Sequence, residues 1–374
     1  MQTKKSLNLN LINQKLFEFG LNQSKISEKL GVSREAVSKW FKAENLPSAG
    51  LLLKLSKLLK LTFDEILKME YINQPIISYR KNANAKTTDE DIDFALGMGL
   101  ILDKLAQYFP LDSTYKPSFL QHPQNDYEYI NNIVQDIRND IKLDNEILTF
   151  KDIISIYYKN NSVVIPVLWG NNKRHANALR VYIPDSMTTW VYLNMNTNIY
   201  DFKFIMAHEL GHIIAIDLIG KEAESFSDNF AGALLFPKNH VSNLYERIMN
   251  ESSERQRIHL IIEEGKKLKT SPLSIYYQLT EYFKYYQKPD INVKHLIFQF
   301  NTKFKSYFST VAMKVFNTEN PSAEKYVNYV NKYFEPPFFK YLKKYIEENE
   351  LSSTFIQNLL DIPYLDAQNI YHAL

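Results

Sequence analysis

Apolar residues recur at three- and four-residue spacing over most of the chain, and the places where that spacing fails divide it. Residues 9–19, 23–30, 34–41, 48–60 and 62–69 each carry one apolar stripe, which predicts five short amphipathic helices. Over 71–90, YINQPIISYRKNANAKTTDE, the periodicity is lost and Pro, Asn and Thr gather, the signature of a linker. Helical spacing returns from 91 to 162, interrupted by YFPLDSTYKP and QHPQND. Three β-branched and aromatic runs follow, VVIPVLWG (163–170), ALRVYIP (178–184) and TTWVYLNMN (188–196), split by Asn- and Pro-containing turns. They predict a small, mainly antiparallel sheet. From 201 onward helix is expected almost throughout, with breaks near Pro237, Pro272, Pro289, Pro321, Pro336-Pro337 and Pro363.

The fold class expected is therefore mainly α with a small antiparallel β-sheet (α+β). Its parts are a helical domain at 1–70, a linker at 71–90, an α+β domain at 91–287 and a helical region at 288–374. Phe and Tyr recur at helical spacing in the last of these, in FQFNTKFKSYF and YVNYVNKYFEPPFFKYL, which predicts a packing or dimerisation face rather than a sensor pocket.

Composition narrows the chemistry. The 44 basic side chains nearly balance 42 acidic ones, so any attraction for nucleic acid has to be local. It is local: residues 1–70 hold twelve Lys and Arg against seven Asp and Glu. The absence of cysteine excludes disulfides, thiol nucleophiles and thiolate metal ligands, which leaves His and carboxylates to hold any metal. No secretory leader is read at the N-terminus, and the apolar run around 202–219 is broken by His208, Glu209, His212 and Asp217, so a cytoplasmic protein without a membrane span is expected.

Within NQSKISEKLGVSREAVSKWFKAENLPS (22–48), Gln23 opens a helix whose Ile26 and Leu30 face inward. Gly31 permits a tight turn, Val32 fills its angle, and Ser33 caps a second helix. Ser33, Arg34, Glu35, Ser38 and Lys39 then point away from the apolar face of Ala36, Val37 and Trp40. With Gln23 they form a candidate surface for base edges and phosphates of double-stranded DNA. The segment resembles the Cro/XRE-like repressor domain over about 7–68, departing from it at Ser27, Phe41 and Ala43. That resemblance implies a homodimer on paired half-sites.

The second chemical signal is AHELGH, residues 207–212. Positions i and i+4 of a helix share one face, so His208 and His212 can present imidazole nitrogens to one Zn²⁺ while Glu209 reaches a bound water. The surrounding FKFIMAHELGHIIAIDLI is apolar nearly all round, a setting in which unpaired histidines and a glutamate would cost several kcal/mol. Gly211 weakens a helix by about 1 kcal/mol and suggests close approach of another backbone. Twelve residues after His212, Glu224 can complete the ligand set if a second helix returns across the first. Asp228, four residues on, would then orient a ligand imidazole. Glu222 competes as ligand, but it would place Phe226 at the partner position.

The His-Glu-x-x-His and Glu-x-x-x-Asp pair resembles the thermolysin-like gluzincins. The longer string YLNMN, FKFIMAHELGH, EAESFSDNFAGALLFP is similar to the ImmA/IrrE metallopeptidases over about 125–285, with Ser227 where that family has alanine. The resemblance implies a zinc endopeptidase that cleaves a helix-turn-helix repressor or partner protein in phage, mobile-element, stress or toxin–antitoxin control. Glu209 would be the general base. His175, His240, Tyr245 and His259 are candidates for oxyanion donor, and WVYLNMN for an open edge to which an extended peptide adds. A regulator that uses the same fold without proteolysis is the competing expectation.

Overall fold

The computed structural model describes residues 3–42, 44–71, 75–80, 89–111, 120–143, 147–170 and 177–374. It divides into two compact units, Met1–Gln74 and Pro75–Leu374.

The first unit runs β1 (Thr3–Leu7), α1 (Leu9–Glu18), α2 (Gln23–Leu30), α3 (Arg34–Phe41), α4 (Ala49–Leu59), α5 (Phe63–Ile66) and β2 (Leu67–Tyr71). Its apolar stripes meet as expected: Ile12, Ile26, Val37, Leu55, Leu59 and Ile66 are wholly buried in one cluster. Four of the five helix starts have a side-chain cap: Asn8, Asn22, Ser33 and Thr62 accept backbone N–H groups, and Gly31 closes α2 in the left-handed conformation at φ 66°. The two strands were not legible. The helix expected at 62–69 is one capped turn, after which β2 pairs antiparallel with β1, from Leu7 opposite Leu67 to Thr3 opposite Tyr71.

The second unit opens with β3 (Ile76–Arg80), followed by α6 (Asp89–Ala106), α7 (Tyr127–Asp140), α8 (Phe150–Lys159), β4 (Ser162–Val167), β5 (Ala178–Ile183) and β6 (Thr188–Asn194). Next come α9 (Ile199–Ile214) and α10 (Gly220–Leu235), then α11 (Lys238–Met249), α12 (Glu254–Leu268) and α13 (Pro272–Tyr285). The chain ends with α14 (Lys294–Ser306), α15 (Val311–Phe316), α16 (Ala323–Tyr333), α17 (Phe338–Glu348), α18 (Ser353–Leu360) and α19 (Tyr364–Ala373). Proline marks the breaks: Pro272 opens α13, and Pro237, Pro337 and Pro363 are the N-caps of α11, α17 and α19.

The sheet order is β3-β5-β6-β4, with β3–β5 and β5–β6 antiparallel and β4–β6 parallel. Two expectations change here. Part of the segment read as a linker is a sheet strand, because Ile76–Arg80 hydrogen-bonds along β5 from Tyr182 to Ala178. The strand WVYLNMN, expected to be an open edge, is β6, and it is hydrogen-bonded on both sides, so its ladder has no free positions for a peptide. The parallel pair has a physical basis as well: β4 and β6 are buried along their whole length, which suits parallel strands covered on both faces.

Part of that cover is the C-terminal region. Trp169 Nε1 donates to the Leu360 carbonyl at 2.7 Å, the Tyr192 hydroxyl to that of Leu359 at 3.0 Å, and the Tyr326 hydroxyl to that of Pro166. Residues 288–374 thus pack on the same sheet as the preceding helices. Among the described residues no helix is long and apolar enough to cross a membrane.

Candidate metal centre

Helix α9 starts where the Asn198 side chain accepts the N–H of Tyr200 at 3.1 Å, and it is buried on nearly every side. Met206, Ala207 and Leu210 are fully enclosed, yet His208, Glu209 and His212 share that interior at 1%, 2% and 5% exposure. Such groups stay buried only if something satisfies them. Helix α10 does so for the two histidines, and Gly211 is what lets it come close: a Cβ at 211 would sit 2.9 Å from the Cα of Ser227.

That crossing brings Glu224 and Asp228 to the histidines. Glu224 places its two carboxylate oxygens 3.5 Å from His208 Nε2 and 3.3 Å from His212 Nε2, and the two Nε2 atoms are 3.1 Å apart. Asp228 Oδ1 lies 2.7 Å from His208 Nδ1. Hydrogen bonds from His208 and then His212 hold the Glu224 carboxyl far below the usual carboxylate range. Ligand atoms about 2 Å from a tetrahedral zinc are about 3.3 Å from one another, so these three donors have the spacing of a zinc face. With a metal held there, Asp228 would accept the Nδ1 proton and His208 would turn an Nε2 lone pair, in place of the N–H that bonds Glu224, to the shared centre. The residues therefore fit a zinc ion, and His208, His212 and Glu224 are the group of possible ligands among the described residues. Glu222 lies outside that group, on an exposed position of α10.

Two residues beneath α9 were not singled out in the sequence. Arg180 on β5 donates from Nη1 to the carbonyl of His212 at 3.5 Å, and the Tyr157 hydroxyl on α8 donates to that of Met206 at 2.6 Å. Burial pushes the Tyr157 phenol well above its ordinary value, and the charge of Glu209 pushes it further. The available signal for Arg180 was a charge inside ALRVYIP, a run otherwise fit for burial on both faces. Tyr157 gave none, since a tyrosine at helical spacing reads as core.

Two of the oxyanion candidates, Tyr245 and His259, have their partners away from the ligand set. Tyr245 is buried and donates to the Pro289 carbonyl at 2.9 Å, and His259 is exposed beside Glu263 at 3.6 Å. His240 packs against the Phe236 ring with centroids 6.4 Å apart, and His175 lies outside the described residues.

In the first unit, Gln23, Ser33, Arg34, Glu35 and Lys39 are exposed and Ser38 is half-buried, so α3 and the start of α2 present them outward. Glu35 and Lys39 pair at 2.9 Å, which ties up one of the two cations. Ser33 is spent on capping α3, accepting the Ala36 N–H at 3.1 Å. Of the departures from the repressor pattern, Ser27 is buried with its hydroxyl bonded to the Ser24 carbonyl at 2.7 Å, so it keeps the turn intact. Ala43 lies outside the described residues.

The family model for helix-turn-helix domains matches residues 14–66. That segment is the capped α2–turn–α3 pair with its neighbours, and it supports a DNA-binding role in transcription regulation with double-stranded DNA as partner. No curated protein and no solved structure matches the chain.

Proposed function

We propose that the protein is a DNA-binding zinc endopeptidase that regulates transcription by cleaving a helix-turn-helix repressor or a partner protein. The observation that carries this reading is the convergence of His208, His212 and Glu224 at 3.1–3.5 Å, with Glu209 on the next position of the same helix. A zinc ion held there supplies Lewis acidity toward a scissile carbonyl and toward water. The chain's own residues do the rest. Asp228 holds the His208 ring in one tautomer through Nδ1, Glu209 takes a proton from the attacking water at its carboxylate, and the same carboxylate returns it to the leaving amine. Burial at 2% exposure shields that carboxylate from competing bulk water.

The helix-turn-helix domain gives the peptidase a place. Anchoring on an operator, as a homodimer on paired half-sites, raises its effective concentration near a repressor bound alongside. Phage, mobile-element, stress or toxin–antitoxin control are settings in which removing a repressor has a use.

A second reading is favoured by the covered ladder of β6, which offers no edge to a peptide. In it the metal fold senses or binds a partner without cutting, and the protein acts as a regulator or antitoxin. The two separate in cells: if promoter control survives Glu209→Gln unaltered, the peptidase reading loses its functional claim, and if control is lost while zinc and DNA binding persist, it is supported.

A further inference from the structure

A charge lies beneath the metal helix that the ligand set does not explain. Arg180 sits mid-strand in β5, opposite Ser78 on one side and Val191 on the other, and is only 6% exposed. Its one described hydrogen bond is the long 3.5 Å contact to the His212 carbonyl, and its Nε is buried with no partner. No carboxylate forms a salt bridge with it among the described residues, although a buried guanidinium is ordinarily stabilised by a bidentate one. Burial lowers its pKa, and the carboxylates of Glu209 and Glu224 push it back up.

Its place relative to α9 narrows what it can do. The His212 carbonyl falls in the last turn of α9 (Ile199–Ile214), where carbonyls lack helical donors and the helix dipole favours a cation. The loaded site also has a charge imbalance. The two positive charges of a zinc ion face three carboxylates, Glu209, Glu224 and Asp228, and Arg180 cancels the remaining negative charge.

We propose that Arg180 is a positioning residue of the metal centre: its guanidinium fixes the last turn of α9 through the His212 carbonyl and places a buried positive charge beneath the helix that carries the ligands and the base. This rests on the zinc-peptidase reading of the same site. Arg180 touches neither the metal nor a substrate in this role. It acts through the helix that carries the ligands and the base.

The test uses the full-length chain with Co²⁺ as spectroscopic probe, the Arg180→Gln and Arg180→Lys variants, and a candidate repressor as substrate. Glutamine keeps hydrogen-bond donors without charge, and lysine keeps charge without the planar fork. For Arg180→Gln the expected result is a shifted cobalt d–d spectrum, metal affinity about tenfold to a hundredfold weaker, and kcat reduced by a similar factor with KM within about threefold. Arg180→Lys is expected to fall between Arg180→Gln and the wild type. If Arg180→Gln does not fold, Arg180→Lys decides alone, with cobalt affinity reduced about threefold to tenfold. Wild-type spectrum, affinity and kcat in the folded variants would overturn the proposal and leave Arg180 as packing for a helix end. A wild type that binds cobalt but cleaves nothing removes the peptidase reading while the cobalt readouts still judge Arg180. A wild type that binds no cobalt removes the metal site and the role of Arg180 together.

Discussion

The helix-turn-helix and the candidate metal centre are each built on two helices close in sequence, but they are held together differently. In α2–turn–α3 the decisive contacts span only a few residues: Asn22 to Lys25, Ser33 to Ala36, and the left-handed Gly31 between them. Its chemical groups face water, and only the apolar backs of the helices are buried. In α9–α10 His208, Glu209 and His212 are buried while Glu224 and Asp228 stand on an exposed side of α10, and supports for the buried helix arrive from β5 and α8, 32 and 49 residues away from their partners. A surface site tolerates a poor neighbour because water replaces a lost contact. The buried histidines and Glu209 have no such substitute, so they depend on the elements that enclose them.

The largest expected effect separates the two regions cleanly. Glu209→Gln should reduce cleavage of the partner protein by roughly a hundredfold to ten-thousandfold while operator affinity stays at wild type, measured by product mass spectrometry and by DNA gel shift. A parallel loss of DNA binding would mean that the two regions do not function separately.

Gly211→Ala comes next. Its Cβ would meet the Ser227 Cα at 2.9 Å, a backbone atom that cannot rotate away, so α10 has to move and Glu224 with it. Alanine regains about 1 kcal/mol of helix propensity, but net destabilisation of about 1–3 kcal/mol is expected, with weaker zinc binding. An unchanged melting temperature and zinc affinity would show that the crossing is looser than the contact implies.

Lys203 gives a pH test of the same interior. It is 3% exposed, donates to the Leu268 carbonyl at 2.7 Å, and burial pushes its pKa down to about 8. Unfolded lysine titrates near 10.4, so between about pH 8 and 10.4 the unfolded state binds more protons and stability rises with pH from this group. Between pH 8 and 9.5 the wild type should gain about 2 kcal/mol relative to Lys203→Met in denaturant titrations. A stability gap that does not move with pH would show that the ammonium is better solvated than its burial implies.

The smallest effect belongs to the exposed region. Ser33→Ala removes the cap of α3 and should cost about 1 kcal/mol of stability in the first unit, with zinc content unaltered. Loss of zinc in this variant would contradict the independence of the two regions.

The same contrast explains what could be read from the chain. Ile26, Leu30, Gly31, Ser33 and Trp40 lie within fifteen residues and each has a local reason, so the first motif was legible. His208, His212, Glu224 and Asp228 were legible because helical periodicity carries them across one turn, and Gly211 foretold the crossing. What periodicity cannot show is pairing between distant strands. β1 lay ahead of the first expected helix, β2 read mostly as the fifth helix, β3 as part of a linker and β6 as an edge, because strand order is fixed by neighbours outside the window. Arg180 belongs to that class as well, since its meaning depends on which helix lies over β5.

The claim on which the rest stands is that His208, His212 and Glu224 form a zinc site. Native mass spectrometry of the full-length chain, equilibrated with limiting zinc and a competing chelator, tests it directly. About one zinc per chain is expected in the wild type and in Glu209→Gln, and none in His208→Ala, with all three folded by circular dichroism. A folded wild type that takes up no zinc, or a His208→Ala variant that retains it, would contradict the account.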